Sequence, residues 1–393
     1  MNILIISFDA DPPYMGGVAT MTNLLAKGFI AKGHSCTLGY MRESEHPSNF
    51  FKQKIKLSES YKYSGNKFDI ILSQFCNIDY TLLSPLKKQE TVILTAYHSR
   101  PMLHSLRIEG LLNIYHQSSN ILYKLYTLSK IPFLPMYYIK GHYNEKRVFR
   151  NAYNNSDKFI LLSDKFILLS DKFYPLLKKI IPYAQKEKVA AIGNPVVFDE
   201  SYPIEELYQK KKRVLIVCST NHVKRIPVLF KIWKAIEADN NYLDWELTFV
   251  GEGEGFKQIL KLAQKMNLKR IHFMGYTSPL PFYKESSIMI MASKYEGWPM
   301  VLMEGQQMGV IPISYNSFES ITDIITNEYN GIIIPNNNIK VFIKRLKALM
   351  DNPAKREQMA INAIQFSNKN TKDQTVDQYL NLFKTALNES NPK

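Results

Sequence analysis

Cysteine is scarce in this chain: Cys36, Cys76 and Cys218 are its three, scattered and odd in number. That argues against a disulfide framework or a zinc site and favours a reducing compartment. No stretch of about 18 uncharged apolar residues occurs, so no membrane-spanning helix is expected. The opening run MNILIISFDADPP has no basic flank and soon meets Asp9 and Asp11. It reads as a buried strand rather than a signal peptide, and the expected location is cytoplasmic. No zinc finger, RNP-type aromatic motif or KH-type GXXG loop is visible, which argues against nucleic acid as a partner. The net charge of +15 and pI near 9.4 therefore leave three readings open. They are a lysine-rich solvated surface, a phosphate-rich ligand, or an anionic membrane surface.

What is present is an alternation of strands and helices. At 393 residues the chain is too long for one ordinary core, so two domains are the default. NILIIS is a continuous apolar run of the kind buried in a parallel sheet, and a helix ending near Gly33 follows it. FDIILSQ (68–74), TVILTAYH (91–98) and KVAAIGNPVV continue the rhythm, which predicts right-handed βαβ units. A charged connector after Asn194-Pro195 marks a boundary. Domains are therefore expected at 1–195 and 196–372, with an amphipathic helix at about 373–390 packing back on the first. In the second half VLIVCS, WELTFVG, IHFMG, IMIMAS, VIPISY and GIIIP read as strands. Helices are expected near 224–238, 256–267, 299–308 and 341–349. The fold class is α/β, two Rossmann-like domains facing each other across a cleft.

Two segments break the pattern. Residues 99–155 mix Tyr, Phe and Leu with Lys and Arg, and read either as helices capping the sheet or as a basic, aromatic surface for a membrane. Residues 156–173 hold SDKFILLSDKFILLSDKF, a seven-residue tandem copy. Its Phe-Ile-Leu-Leu block is no coiled-coil heptad, and one strand needs only one copy, so the duplication is read as having no chemical role.

In open parallel sheets ligands lie beyond the carboxyl ends of strands, so the loops there carry the candidates. Gly16 and Gly17 stand between a strand and a helix, as a turn or as a place where backbone N–H groups approach an anion. His98 ends a strand; a lone histidine is structural or functional. Lys224 and Arg225 stand at a helix entry, where cations oppose the macrodipole and an anionic ligand would offset that cost. The stretch SKYEGWPMVLMEG places Glu296 in a loop and Glu304 in the following helix, roughly 7–8 Å along its axis. Pro299 suits the first helical turn and Gly297 removes a side chain where a ligand could meet backbone. Two carboxylates bracketing a helix start match a ligand with hydroxyls, then phosphates, then hydroxyls: a nucleotide-sugar.

Glu296-x7-Glu304, with FVGEGE, IHFMGY, YNGIIIPNNN and IGNPV in order around it, resembles the retaining GT-B glycosyltransferases of family 4 (group 1 type). The likeness covers most of 1–375 and is strongest from about 190 onward. It implies that Glu296 holds hydroxyls of the donor sugar and Glu304 the ribose. Backbone amides at Trp298, Met300 and Val301 would take the diphosphate, beside Gly297. Lys224 would neutralise the departing diphosphate, Gly16 and Gly17 would close on it from the other domain, and His98 would line the acceptor side. Residues 273–276 would lie near the base. Most members carry Gly-Arg about five residues before the lysine, where this chain has Cys218-Ser219; Arg225 is the candidate replacement.

The expected activity is retaining, metal-independent transfer of a hexose or N-acetylhexosamine from a nucleotide-diphosphate sugar, UDP-linked by expectation. The acceptor would be a hydroxyl of a lipid-linked glycan in surface polysaccharide assembly, at the inner face of an anionic membrane. No cofactor and no metal are expected, since Lys224, Arg225 and the helix start supply positive charge where it is needed. Lys224, Glu296 and His98 are the catalytic candidates. The alternatives are a same-fold epimerase or phosphorylase, or an inactive membrane-surface binding module.

Overall fold

The computed structural model describes residues 1–9, 17–43, 50–98, 134–158, 166–168 and 170–390. Gly16, the first SDKFILL copy from Phe159 onward and residues 99–133 lie outside them. The chain divides into a unit of Met1–Ile108, Pro132–Asn194 and Lys372–Lys393, and a second unit built on Pro195–Thr371.

The first unit carries a seven-stranded sheet of β1 (Asn2–Asp9), β2 (Ser35–Arg42), β3 (Lys54–Lys56), β4 (Phe68–Ser73), β5 (Lys87–Tyr97), β6 (Phe166–Leu168) and β7 (Val189–Ala191). Its order is β3-β2-β1-β4-β5-β6-β7, every pairing parallel. Ile3, Leu4, Ile5 and Ile6 are wholly buried, which is why β1 is continuously apolar rather than alternating. Helix α1 (Gly17–Ala31) follows β1, and Gly33 ends it at φ 80°, a left-handed turn that suits glycine. Helix α2 (Leu134–Lys158) buries Phe149, Ala152 and Tyr153, and the short α3 is Tyr174–Ile180. The C-terminal helix Lys372–Ser390 packs on α1, with Phe383 5.4 Å from Phe29 and Asp377 paired to Lys32 at 2.7 Å. Gly28 permits that approach: a Cβ there would meet Val376 at 2.2 Å.

The second unit has six parallel strands, β8 (Lys211–Val217), β9 (Glu246–Val250), β10 (Ile271–Phe273), β11 (Ser286–Met291), β12 (Ile311–Asn316) and β13 (Ile332–Pro335). Helices α4 (Ile226–Glu237), α5 (Phe256–Lys265), α6 (Leu280–Glu285), α7 (Met300–Gln307), α8 (Ile321–Ile324), α9 (Ile339–Met350) and α10 (Pro353–Ser367) complete it. The strand order is β10-β9-β8-β11-β12-β13. The chain thus starts in the middle at β8, moves outward to β10, then returns to the other side of β8 with β11. The loops leaving β8 and β11 diverge there, and a crevice at such a switch point is where parallel sheets bind ligands.

The strands expected from apolar runs are present, though KVAAIGNPVV yields only the three residues of β7. Several elements were not anticipated, among them β2, β3, α6, α8 and α10. β2 interrupts its apolar residues with Cys36, Thr37 and Gly39, and β3 is three residues long. α6 is a six-residue helix with Pro281 at its start. α10 has a polar stretch, Lys355–Gln358, in its first half, and its start is marked by Asn352, which caps Lys355 N at 2.9 Å, and by Pro353 in the first turn. Among the described residues no helix is long and apolar enough to cross a membrane.

Candidate active site

The two loops at the switch point of the second sheet are tied to each other. After β8, Asn221 caps a single 3-10 turn, His222–Lys224, and Arg225 follows in the left-handed conformation at φ 48°. That backbone turn aims Lys224 across to the loop after β11, where its Nζ reaches Glu296 Oε1 at 2.6 Å. Lys294 N donates to Val223 O at 2.8 Å and joins the two loops a second time. The Lys224 and Glu296 side chains are 20% and 15% exposed, so the pair is partly withdrawn from water. Burial disfavours the Lys224 charge, but the Glu296 carboxylate more than offsets that and holds the ammonium above its ordinary range. Lys224 therefore stays charged at neutral pH.

Arg225 is held by the loops after β11 and β13. Its guanidinium donates to Ala292 O, to Ser293 O at 3.0 Å, to Asn336 Oδ1 at 3.1 Å and to Asn337 Oδ1 at 2.6 Å, and lies 5.1 Å over the Tyr315 ring. These bonds occupy most of its five N–H groups, so it acts as a clamp on the loop after β11. At the position where the family pattern has arginine, Ser219 accepts a hydrogen bond from Asn221 Nδ2 at 2.9 Å. Cys218 is half-buried, and desolvation of its thiol pushes it up to about 12, which keeps it neutral.

The glycines of FVGEGE lie against the β8 loop. Gly251, at φ 137°, would place a Cβ 2.0 Å from Cys218 O, and Gly255, just after the motif, one 2.3 Å from Thr220 O. Only residues without a side chain allow this contact.

Helix α7 begins at Met300 after Pro299, and no side chain caps it among the described residues. Its first backbone N–H groups, Met300 and Val301, have no carbonyl within the helix to bond, so they and the helix dipole face the loop of Glu296. Gly297 O accepts from Ser320 Oγ at 2.7 Å, which fixes the turn before the helix. Among the described residues the Trp298 indole Nε1 and Ser293 Oγ, in the loop after β11, and Thr220 Oγ1, in the loop after β8, are buried without a partner. Such groups cost free energy when unpaired and mark a place for a polar ligand. About one turn into α7, Glu304 is half-buried; desolvation pushes its carboxyl up while the Tyr283 hydroxyl, donating at 2.9 Å, pulls it down. Lys224, Arg225, Glu296, Gly297, Trp298, Met300, Val301 and Glu304 thus share one end of one sheet, a cation, an uncapped helix start and two carboxylates in sequence.

Gly17 and His98 belong to the first unit. Gly17 is the first residue of α1, at the carboxyl end of β1. His98 follows β5, and its Nε2 meets Gln74 Oε1, from the end of the adjacent β4. Burial pulls the His98 imidazole down to about 4, so it is neutral at physiological pH. Its Nδ1 has no partner among the described residues. Gln74 and Tyr283 were not singled out from sequence. An amide after a strand and a tyrosine in a short helix carry no spacing signal.

Residues 197–366 match the family of glycosyl transferases group 1. An uncharacterized glycosyltransferase of Haemophilus influenzae is 28% identical over 174 residues, 44% of this chain and 48% of the relative. The Campylobacter jejuni GalNAc-alpha-(1->4)-GalNAc-alpha-(1->3)-diNAcBac-PP-undecaprenol alpha-1,4-N-acetyl-D-galactosaminyltransferase is 25% identical over 181 residues, 46% and 50% of the two chains. The Escherichia coli UDP-Gal:alpha-D-GlcNAc-diphosphoundecaprenol alpha-1,3-galactosyltransferase is 25% identical over 182 residues, 43% and 47% of the two chains. The chain thus spans about half the length of these curated relatives. Among solved structures, the lipopolysaccharide outer core galactosyltransferase WaaB has a TM-score of 0.64 at 15% identity, covering 98% of this chain and 99% of that one. Anabaena HepE in complex with UDP-glucose has a TM-score of 0.69 at 13% identity, covering 97% and 99%. Two parallel-sheet Rossmann-like units make this a GT-B fold, and the second of them, over residues 197–366, is similar to the group 1 glycosyl transferases.

Proposed function

We propose that the protein is a retaining, metal-independent glycosyltransferase that moves a hexose or N-acetylhexosamine from a UDP-sugar to a hydroxyl of a lipid-linked glycan. The observation that carries this reading is the Lys224–Glu296 pair beside the uncapped start of α7. A departing nucleoside diphosphate develops negative charge, and a charged lysine with a helix N-terminus is preorganised to receive it. Lys224 gives one N–H to Glu296, which leaves two for phosphate oxygens. Glu296 holds donor-sugar hydroxyls on its other oxygen and Glu304 holds the ribose. Because Glu296 is bonded to a cation, its charge is a poor nucleophile for a covalent intermediate. Attack of the acceptor hydroxyl on the donor's own leaving face, with its proton passing to the departing phosphate, fits the site better. The activities of the C. jejuni and E. coli relatives, both on undecaprenol-diphosphate glycans, support a lipid-linked acceptor here.

The test is a panel of nucleotide-sugars with a polyprenyl-diphosphate glycan acceptor, scored by nucleotide diphosphate release and product anomer. Acceptor-dependent release with an α-linked product from an α-donor is expected. Inversion, or turnover that requires an added divalent metal, would overturn the reading.

An anionic membrane surface as partner is favoured by α2. Met136, Ile139 and Tyr143 are 55%, 67% and 68% exposed, and with exposed Arg147 and Arg150 they fall on one stripe at helical spacing. Apolar side chains followed by arginines suit an acyl boundary and its headgroups. The protein should float with vesicles containing anionic lipid, and Ile139→Ser with Arg147→Glu should release it. Flotation unchanged by both substitutions would count against this surface.

A further inference from the structure

Tyr283 reaches the site from α6, an element that carries none of the motif. Its side chain is fully buried, and its hydroxyl donates to Glu304 Oε2 at 2.9 Å, with Val301 O, at 3.4 Å, a second acceptor within reach. A phenol has one proton, so the bond goes to whichever acceptor is more basic, and an ionised carboxylate wins over a carbonyl. The ring itself has one setting. It packs edge-to-face with Phe198 at 6.2 Å, and Gly305, next to Glu304, makes room for Met289 beside it: a Cβ there would stand 2.4 Å from Met289 Sδ and in ordinary contact, 3.7 Å, with the Tyr283 ring. The Tyr283 carbonyl accepts from Lys210 Nζ at 2.7 Å, and the same ammonium reaches Met308 O at the far end of the Glu304 helix. Lys210 thus ties the backbone of Tyr283 to the helix whose carboxylate Tyr283 holds.

We propose that Tyr283 is a positioning residue that fixes Glu304 with one oxygen occupied and the other presented, so that the site selects a donor bearing an intact ribose diol over its deoxyribose counterpart. This rests on the donor reading given above. Without the phenol, Glu304 has two equivalent oxygens, a freer side chain and a stronger tendency to take up a proton. A protonated carboxyl both donates and accepts, and no longer offers two acceptors to a pair of hydroxyls. Burial already raises the Glu304 carboxyl, and the Tyr283 hydroxyl is what opposes it.

The test compares wild type, Tyr283→Phe and Glu304→Gln with UDP-sugar and 2′-deoxy-UDP-sugar, measuring donor KM and kcat from acidic to neutral pH. Tyr283→Phe should raise KM for the ribose donor roughly ten-fold or more with little change in kcat. Its preference for ribose should shrink, and its loss of donor affinity in acid should begin at a higher pH. Glu304→Gln should lose the preference and the acid limb together. A Tyr283→Phe enzyme that keeps both the preference and the wild-type acid limb, while Glu304→Gln loses them, overturns the positioning role alone. Glu304→Gln that keeps the preference overturns the ribose assignment itself. Should Tyr283→Phe fold poorly, Lys210→Met reports through the same ratio, because it frees the Tyr283 backbone without touching the hydroxyl. A Lys210→Met ratio equal to wild type, with Tyr283→Phe unfolded, also overturns the proposal.

Discussion

Replacing Lys224 with methionine separates its charge from its packing. Methionine keeps most of the side-chain volume and removes the ammonium, which stands 2.6 Å from Glu296 Oε1 with both side chains at 20% exposure or less. Two unit charges about 4 Å apart attract by about 4 kcal/mol at an effective dielectric of 20, and desolvation cancels a good part of it. Removing one partner leaves Glu296 half-buried and unpaired, so unfolding free energy should fall by about 2–3 kcal/mol, less than the 3–5 of a fully buried pair. The catalytic loss should be larger. The ammonium meets its strongest partner only when the diphosphate departs, and deleting one such donor lowers kcat by about 10²–10³. Donor affinity should change much less. The double variant Lys224→Met, Glu296→Gln decides between folding and chemistry. It removes the orphaned carboxylate, so denaturant stability should return to within about 1 kcal/mol of wild type while kcat stays low. Steady-state kinetics, donor calorimetry and urea unfolding on the four proteins close the cycle. If kcat recovers together with stability, or if donor affinity falls as far as kcat, the leaving-group role of Lys224 is wrong.

Three further substitutions or conditions probe the surrounding frame. Arg225→Lys keeps the charge but cannot reproduce the fork on Ala292 O, Ser293 O, Asn336 and Asn337. It should lose about 1.5–3 kcal/mol in urea unfolding and raise donor KM; a variant as stable as wild type would mean that Arg225 is a phosphate ligand and not a clamp. Gly251→Ala forces a side chain onto φ 137° and onto Cys218 O, and should cost at least about 1–3 kcal/mol and donor affinity with it; a neutral result in thermal unfolding would refute the close contact. His98 should make the protein acid-sensitive. The unfolded imidazole takes up a proton near 6.5, but burial delays that to about 4 in the folded chain, so stability present at pH 7 is lost as pH falls between those values. At most about 3 kcal/mol is involved, and His98→Phe should remove this part of the acid dependence; parallel wild-type and variant curves would refute it.

How much of this was legible beforehand differs by element. The central strands β1, β4, β5, β8, β11 and β12 announce themselves because burial on both faces demands unbroken apolar runs. β2 did not, because Thr37 and Gly39 interrupt its run. The switch point, which explains why loops so far apart in sequence meet, follows from strand order and not from any local pattern. Glu296, Glu304 and Lys224 were legible from spacing and family likeness. What Arg225 does was not, since its role depends on Asn336 and Asn337 at the end of β13, more than a hundred residues away.

The same limit applies to the spacing of the two glutamates. Eight positions across a turn and a helix start set how far apart Glu296 and Glu304 can be along α7, but not which oxygen of each faces a ligand. That is decided by Lys224, delivered from β8, and by Tyr283, delivered from α6. One partner is a cation and the other a neutral phenol, so the two carboxylates are unequal: Glu296 shares its charge with the residue that receives the leaving group, whereas Glu304 has only the Tyr283 hydroxyl to oppose the desolvation that raises its carboxyl. An interaction that must respond to charge developing during the reaction belongs at the first. One that must hold a part of the donor that never reacts belongs at the second, so losses at Glu304 should fall on binding and losses at the Lys224–Glu296 pair on the rate of transfer.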